Sequence, residues 1–223
     1  MPRFAHYVIT WGEEAGRVPP AEGVGELASS AAANSGELLA VGPVHDVSER
    51  QARPVPEWLA VAGFRDPAGA RAWVAGAQER LGTTTFAAPA LTEPVWWPEE
   101  MTGQRADWSR KPEPPLSRLG LFVVIWFELT DPVQFLDYSA HYKWTVEHAG
   151  GACLVGSPGA ELLHGDTVPE ALAVMAWPDD GARQAWYDGD EYRPYKHQRH
   201  RASRSTNISV LAREMGRPRR HIQ

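Results

Sequence analysis

Two stretches of the chain repeat one another: Trp58-Leu-Ala-Val-Ala-Gly-Phe-Arg-Asp-Pro-Ala-Gly-Ala-Arg-Ala-Trp73 and Ala171-Leu-Ala-Val-Met-Ala-Trp-Pro-Asp-Asp-Gly-Ala-Arg-Gln-Ala-Trp186. Each begins as a short apolar strand, passes through a turn and ends in a helix. Trp73 aligns with Trp186 without a gap, and Arg71 aligns with Arg183 once a one-residue difference is allowed. A repeat of this kind indicates an internal duplication.

The flanking segments agree with a duplication. The first half predicts strands and helices in the order 4–11 (strand), 21–35 (helix, with Gly36 as its C-cap), 38–47 and 58–64 (strands), 67–81 (helix) and 83–88 (strand). The second half predicts 119–129 (strand), 132–148 (helix), 152–163 and 171–177 (strands), 180–200 (helix, broken near Pro194) and 205–212 (strand). Asp131 is the expected N-cap of the 132–148 helix, and Gly150-Gly151 the expected stop. Each half therefore has the β-α-β-β-α-β order of ferredoxin-like units.

The strand 119–129 is apolar on both faces, because Phe122, Val124 and Trp126 alternate with Val123, Ile125 and Phe127. A sheet that is apolar on both faces needs two covers. Helices cover one face, and the sheet of the other half is the expected cover for the second. We therefore predict the α+β class, with two tandem ferredoxin-like (βαββαβ) units forming an intramolecular dimeric α+β barrel. The predicted units are 1–90 and 119–213, joined by a Pro/Trp-rich linker at 91–118 and followed by a basic tail at 214–223.

Composition narrows the function classes. The 223 residues are 43% hydrophobic, enough for a sizeable core, and the net charge is −6, which gives no general reason to expect nucleic-acid binding. Residues 193–223 carry nine Lys or Arg and one Glu, which we interpret as a solvated or self-docking segment. The single Cys153 favours a reducing cytoplasm, and no apolar run reaches the length of a membrane helix. We expect a cytoplasmic protein that binds neither membrane nor nucleic acid; a monomer and a homodimer both remain open.

A resemblance to a known family adds to this interpretation. The residues that carry it are Thr130-Asp131-Pro132, Phe135, Tyr138, Gly150-Gly151, Leu154-Val155, Ala185-Trp-Tyr-Asp-Gly-Asp-Glu-Tyr192, Arg199 and Ala202-Ser203. They resemble a family of small bacterial domains of unknown function in the dimeric α+β barrel superfamily, which typically shows Trp-Tyr-x-Ser-x-Glu-Tyr. Gly189 stands here where that family has Ser, and the first half matches only weakly.

The resemblance implies a ferredoxin-like unit whose sheet pairs with a second copy. It does not choose an activity, because the wider superfamily includes cofactor-free monooxygenases, muconolactone-isomerase-like enzymes, polyketide cyclases and haem proteins.

Four residues are candidates for chemistry. Asp137 and His141 lie four apart on the predicted helix, so the carboxylate can orient the imidazole as a general base. A solvated pair and a metal ligand are the alternatives. Tyr138 on the buried face is a donor to a substrate oxygen or a structural hydrogen-bonding group. Arg199 is a partner for a substrate carboxylate or enolate, or else forms an ion pair with Glu191 or an aspartate.

Aromatic and imidazole side chains complete the predicted site. Trp11 and Trp126 occupy similar late positions on equivalent strands, where they line the barrel seam or a pocket, and His6 alternates with Phe4 and Val8, which favours the space between the sheets. The predicted substrate-binding residues are Trp126, Trp144, Tyr192, Trp186, His164, His6 and Trp11.

The leading hypothesis is an enzyme that needs no cofactor and no metal. It would act on a small apolar or aromatic, polyketide-like metabolite by isomerisation, cyclisation, dehydration or oxygenation. The sequence holds no GxGxxG loop, Walker A sequence, HExxH or GxSxG. The alternatives are a small-molecule carrier without catalysis and a haem protein.

Overall fold

The structure is a computed structural model that describes residues 4–12, 19–52, 55–77, 81, 84–91, 115–157, 159–166 and 168–212. Most of the predicted linker, with Trp96, Trp97 and Trp108, lies outside the described residues, and so does the basic tail.

The first half has the predicted order of elements, with one strand divided into two. Its elements are β1 (His6–Gly12), α1 (Ala21–Ala33), β2 (Gly36–Pro43), β3 (Asp46–Arg50), β4 (Trp58–Phe64), α2 (Pro67–Ala77) and β5 (Thr84–Pro89).

The second half repeats this order, and a short 3-10 turn at Leu116–Arg118 precedes it. Its elements are β6 (Leu121–Leu129), α3 (Pro132–His141), α4 (Lys143–His148), β7 (Ala152–Ser157), β8 (Glu161–His164), β9 (Ala171–Trp177), α5 (Asp180–Asp188), α6 (Arg193–Ala202) and β10 (Ser203–Leu211).

The strands form two five-stranded antiparallel sheets, with the orders β2-β4-β1-β5-β8 and β3-β10-β6-β9-β7. Four strands of each sheet come from one half, and the fifth is exchanged: β3 pairs with β10, and β8 pairs with β5. The sequence predicted 38–47 and 152–163 as single strands, which was wrong. Each of these segments is divided into two strands, and the second strand, β3 or β8, pairs in the sheet of the other half.

The space between the sheets is filled by apolar side chains from both halves. Trp11 of the first half lies 4.5 Å from Trp126 of the second, measured between ring centroids, and Phe86 meets both rings edge-on. Phe122, Val124 and Trp126 face this interior, while Val123, Ile125 and Phe127 face the helices, as the alternation of β6 predicts. The predicted two-cover sheet and the intramolecular barrel are confirmed.

Local signals placed several helix ends correctly. The Asp131 carboxylate accepts a hydrogen bond from Gln134 N at 3.0 Å, and Asp179 caps α5 in the same way at Ala182 N. Gly150 ends the second-half helical region with a φ of 87°. In the first half the left-handed position is Ser35, with a φ of 60°, so Gly36 is not the C-cap that we predicted. Gly36 starts β2, and a Cβ there would lie 2.4 Å from the Phe64 ring.

Both long helices of the second half are divided. The 132–148 helix was predicted to be continuous, but it is interrupted at Tyr142, which separates α3 from α4. The 180–200 helix is broken as predicted, between Asp188 and Arg193, just before Pro194. Pro194 lies in the first turn of α6, where it needs no backbone N–H partner and is tolerated. Among the described residues, no helix is long and apolar enough to cross a membrane.

Candidate functional site

A cavity of about 200 Å³ lies between α3 and the sheet of the second half. We call it the second-half pocket. Its lining is mainly apolar and includes Phe127, Phe135, Tyr138, Tyr142, Gly156, Ala171 and Ala173. Three of these, Gly156, Ala171 and Ala173, are small residues of β7 and β9, and the volume lies above them. It is smaller than the roughly 300 Å³ at which drug-sized pockets begin, so it suits a ligand with one ring or a short acyl chain.

The polar side chains among the residues that line the pocket are Tyr138, Ser139 and Tyr142. The rings of Tyr138 and Tyr142 stack with their centroids 4.5 Å apart and 8° between their planes. Tyr138 Oη lies 3.4 Å from Tyr192 Oη, at the N-terminal end of α6. Burial raises the pKa of Tyr138 and of Tyr142 well above the usual tyrosine range, with smaller effects from Tyr192 on both and from Cys153 on Tyr142. Both side chains therefore stay protonated at neutral pH and can donate hydrogen bonds.

Arg199 lies behind this tyrosine group with no exposed side-chain area. Its Nη2 donates to Glu49 Oε1 of β3, a strand that comes from the first half. The Ser205 and Tyr187 hydroxyls also donate to the Glu49 carboxylate, and His200 Nε2 lies 2.9 Å from Oε1. A charge pair buried this deeply requires such additional hydrogen bonds to offset its desolvation.

The charge of this pair is maintained in the folded protein. Burial opposes ionisation of Glu49, but attraction to Arg199 and hydrogen bonds from Ser205, Tyr187 and His200 prevail and lower its pKa. Burial likewise opposes the charge on Arg199, and the surrounding tyrosines with Glu49 outweigh it, so the pKa of Arg199 is raised above its usual range. We predicted Glu191 or an aspartate as the ion-pair partner of Arg199, and this was wrong. Glu191 instead contacts His148 Nδ1 at 2.8 Å.

The guanidinium of Arg199 is not fully satisfied. Within the described residues, its buried Nε and Nη1 atoms have no hydrogen-bond partner. Its Cζ lies 5.9 Å from the Tyr192 ring and 6.0 Å from the Tyr187 ring, near enough for a cation–π attraction. The positive charge of Arg199 therefore lies beside the rings of Tyr187 and Tyr192, on the side where Tyr138 lines the pocket.

The predicted Asp137–His141 pair is present, but it lies at the surface. His141 Nδ1 is 2.7 Å from the Asp137 backbone oxygen and 3.4 Å from its Oδ1, and the side chains are 37% and 62% exposed. Asp137 Oδ2 also accepts from Gln198 Nε2 at 2.5 Å. His141 is not among the residues that line the second-half pocket. The structure thus brings Tyr138 and Arg199 together without His141, and the catalytic roles of all four residues stay predictions.

The predicted aromatic residues fall into two groups. Trp11 and Trp126 fill the space between the sheets, and Trp126 also borders a polar groove at the end of β6. Trp144, Trp186 and Tyr192 belong to the helix layer of the second half. Trp186 stacks on Tyr192 at 4.0 Å and donates to Thr145 Oγ1, while Trp144 donates to Tyr195 Oη. None of these residues lines the pocket as described.

The two lone histidines lie far from this pocket. His164 ends β8 and pairs with Thr85 of β5. His6 begins β1 on the face of Val8, which packs against the helices of the first half. The expectation that His6 faces the space between the sheets was therefore wrong. Tyr7 and Ile9 occupy that face instead.

Sequence reasoning did not select Glu49, Tyr142 and Ala171 as site residues. Glu49 is 150 positions from Arg199 in the sequence, and the residues around Glu49 do not indicate that it has a buried partner. The sequence did contain a signal for Ala171, because Ala171 aligns with Trp58 when the two copies of the repeat are compared. Where one copy of a repeat has a large residue and the other copy has a small one, the small residue indicates an unfilled volume beside it.

Comparisons with known proteins agree with this architecture. Residues 120–212 match the family described as a domain of unknown function, DUF1330, so the second half carries that domain. No curated protein sequence matches the chain significantly.

Two solved structures show the same arrangement of both halves. An anthrone oxidase-like protein is 12% identical with a TM-score of 0.54, and the match covers 95% of this chain and 92% of that one. A double variant of chlorite dismutase from Candidatus Nitrospira defluvii is 9% identical with a TM-score of 0.53, covering 96% and 92%. At these identities the likeness establishes the dimeric α+β barrel fold and no activity.

Proposed function

We propose that the second half binds a small, mainly apolar molecule with a carbonyl or enol oxygen and promotes its enolisation. The observation that carries this proposal is the second-half pocket itself. Two tyrosines held protonated line an apolar cavity, and a buried arginine lies behind them.

The chemistry follows from where charge develops. When a C–H proton leaves the carbon beside a carbonyl, negative charge moves to the oxygen. A Tyr138 or Tyr142 hydroxyl that donates to this oxygen stabilises the enolate, and the nearby charge of Arg199 favours it further. Returning the proton at another carbon isomerises the molecule. Attack of the enolate carbon on a second carbonyl within the molecule cyclises it.

The proton acceptor in this proposal is His141, which Asp137 holds at the surface when no ligand is bound. It follows Tyr138 by three residues, at the end of α3. Reaching a ligand requires its imidazole to leave the Asp137 carbonyl and turn toward the pocket.

The neighbouring structures do not choose the reaction, since one is anthrone oxidase-like and the other is a chlorite dismutase. An aromatic ketone agrees in size and polarity with the pocket and with the first of these names. We therefore use small aromatic ketones as probes.

The test is hydrogen–deuterium exchange at the carbon beside the carbonyl of acetophenone and related ketones, followed by proton NMR in D₂O. We expect the protein to accelerate exchange, and Tyr138→Phe or Tyr142→Phe to slow it by about a hundredfold or more, as loss of one oxyanion donor does. Tyr7→Phe is the matched control, because Tyr7 lies between the sheets, away from the pocket. His141→Ala should abolish exchange without loss of binding. Equal rates in all variants would contradict the proposal.

A carrier without catalysis is the second candidate, favoured by one observation. Among the described residues that line the pocket there is no imidazole or carboxylate. A ligand that binds, is recovered unchanged and shows no accelerated exchange would establish this function instead.

Haem binding does not fit the pocket. A haem iron needs an axial ligand; the described lining residues include no histidine, cysteine or methionine, and burial keeps the two tyrosines protonated by raising their pKa. The cavity of about 200 Å³ is also too small for the macrocycle. Absence of a Soret band after titration with haem would agree with this conclusion.

A further inference from the structure

A lysine lies at the edge of the second-half pocket, over Gly156. A Cβ built at Gly156 would be 3.1 Å from Lys143 Cε and 3.5 Å from Lys143 Nζ. Gly156 lines the pocket, and so does Tyr142, which immediately precedes Lys143. The lysine stem therefore crosses Gly156 of β7 beside the pocket, although Lys143 itself is not among the residues that line it.

The missing side chain at Gly156 makes this position accessible to the lysine. Any larger residue would push the stem away, since contacts of 3.1 Å are closer than carbon atoms normally approach. Gly156 has an ordinary strand conformation, so its conformational freedom is not what the site requires.

Lys143 is also available for a ligand. Within the part of the chain that the structure describes, it has no carboxylate partner, whereas Lys196 lies near Asp188 and over the Tyr187 ring. The described lining of the pocket contains no acidic side chain. An anion that entered beside Gly156 would meet this ammonium without a competing carboxylate on the pocket wall.

We propose that Lys143 selects small apolar carboxylates for the second-half pocket, with the carboxylate at the mouth beside Gly156 and the apolar part beneath α3. This inference rests on the proposed function, because it takes the same pocket as the ligand site. It narrows the ligand class from any small carbonyl compound to keto acids and aromatic acids.

The test uses two probes of nearly the same shape, phenylacetate and phenylacetamide, titrated by isothermal calorimetry. We expect the wild-type protein to bind phenylacetate roughly tenfold more tightly, as expected for one partly exposed charged hydrogen bond. Lys143→Met should remove this preference while it leaves the affinity for phenylacetamide unchanged. Added salt should weaken only the binding of phenylacetate.

Arg65→Met is the control for net charge, because Arg65 is an exposed residue of the first half. It should keep the preference. If phenylacetamide binds and phenylacetate binds no better, charge selection by Lys143 is wrong and the pocket remains a ligand site. If neither probe binds the wild-type protein, both this inference and the proposed function are wrong.

Discussion

The two halves have the same frame but place their large side chains on opposite strands. In the first sheet Trp58 of β4 pairs with Gly12 of β1, and in the second Ala171 of β9 pairs with Phe127 of β6. Trp58 is only 1% exposed, within the helix–sheet core of the first half, and its Nε1 would lie 2.0 Å from a Cβ at Gly12. Reversing which strand carries the large residue leaves a pocket beside Ala171.

The exchanged strands show a second difference. Each places a carboxylate near the matching arginine of the other half, as Asp46 does for Arg183 and Glu161 for Arg71. Only β3 adds a second carboxylate, Glu49, which meets the buried Arg199. Each exchanged strand thus supplies one ion pair to the other half, exposed at Arg71 and with a buried guanidinium at Arg183, and β3 supplies a second, fully buried pair near the pocket.

Arg199→Met should produce the largest loss of stability. It leaves Glu49 buried without its charge partner, which costs about 3–5 kcal/mol of unfolding free energy. Arg71→Met is the matched variant, because its pair with Glu161 is exposed, and we expect no measurable change. Urea unfolding followed by tryptophan fluorescence measures both. Equal losses of unfolding free energy in the two variants would show that the buried ion pair stabilises the protein no more than the exposed one.

Trp58→Ala should be nearly as damaging as the loss of Arg199. Removing the indole leaves a cavity in the first half, at a cost of about 3–5 kcal/mol.

Ala171→Leu makes the opposite change in the second half. It should cost less than about 1.5 kcal/mol, because the pocket has room for the added carbons. The same variant should lose ligand binding in calorimetry. A large destabilisation by Ala171→Leu would mean that the pocket cannot be filled.

The free energy of unfolding should depend on pH in the acid range because of Glu49. Its folded pKa is lower than the unfolded value near 4.5, so the stabilisation is fully present above that pH and is lost as the pH falls through the folded pKa. Glu49→Gln has no such carboxylate, so the gap in unfolding free energy between it and the wild type should narrow below pH 4.5. Urea midpoints over an acid series measure it. A constant gap would contradict the lowered pKa.

The helix ends give the smallest expected effect. Gly150→Ala places a side chain at a φ of 87° and should cost about 1 kcal/mol. Ser35→Gly, at the equivalent end of α1, should change stability by less than about 0.5 kcal/mol, because relief of strain is offset by a more flexible unfolded chain. Thermal unfolding distinguishes the two. A larger effect at Ser35 would reverse the comparison.

The order of helices and strands could be predicted because it depends on patterns of residues that are close together in the sequence. The alternation in β6, the Asp131 cap and the repeated strand–turn–helix each depend on neighbouring residues. The exchange of β3 and β8 could not be predicted in this way, since it depends on strand partners far away in the chain. For the same reason the buried state of Arg199 was missed.

The candidate site was predictable only in part. Helical spacing correctly placed Tyr138 on the buried face, and it also correctly put Asp137 beside His141. It could not tell that His141 lies outside the pocket, because the spacing along one helix does not show where the neighbouring elements leave a cavity. The volume of the pocket could not be predicted from single elements, because it depends on which small residues of β7 and β9 lie together beneath α3.

The exchange of strands also bears on synthesis of the protein from its N-terminus. The sheet β2-β4-β1-β5 is complete in sequence before the second half emerges from the ribosome, yet β3 has no partner until β10 is made. During that interval the inner face with Tyr7, Ile9 and Trp11 has no cover. An uncovered apolar face and an unpaired strand invite association between nascent chains. Among the described strands β10 is made last, and its pairing with β3 ties the first half to the second sheet.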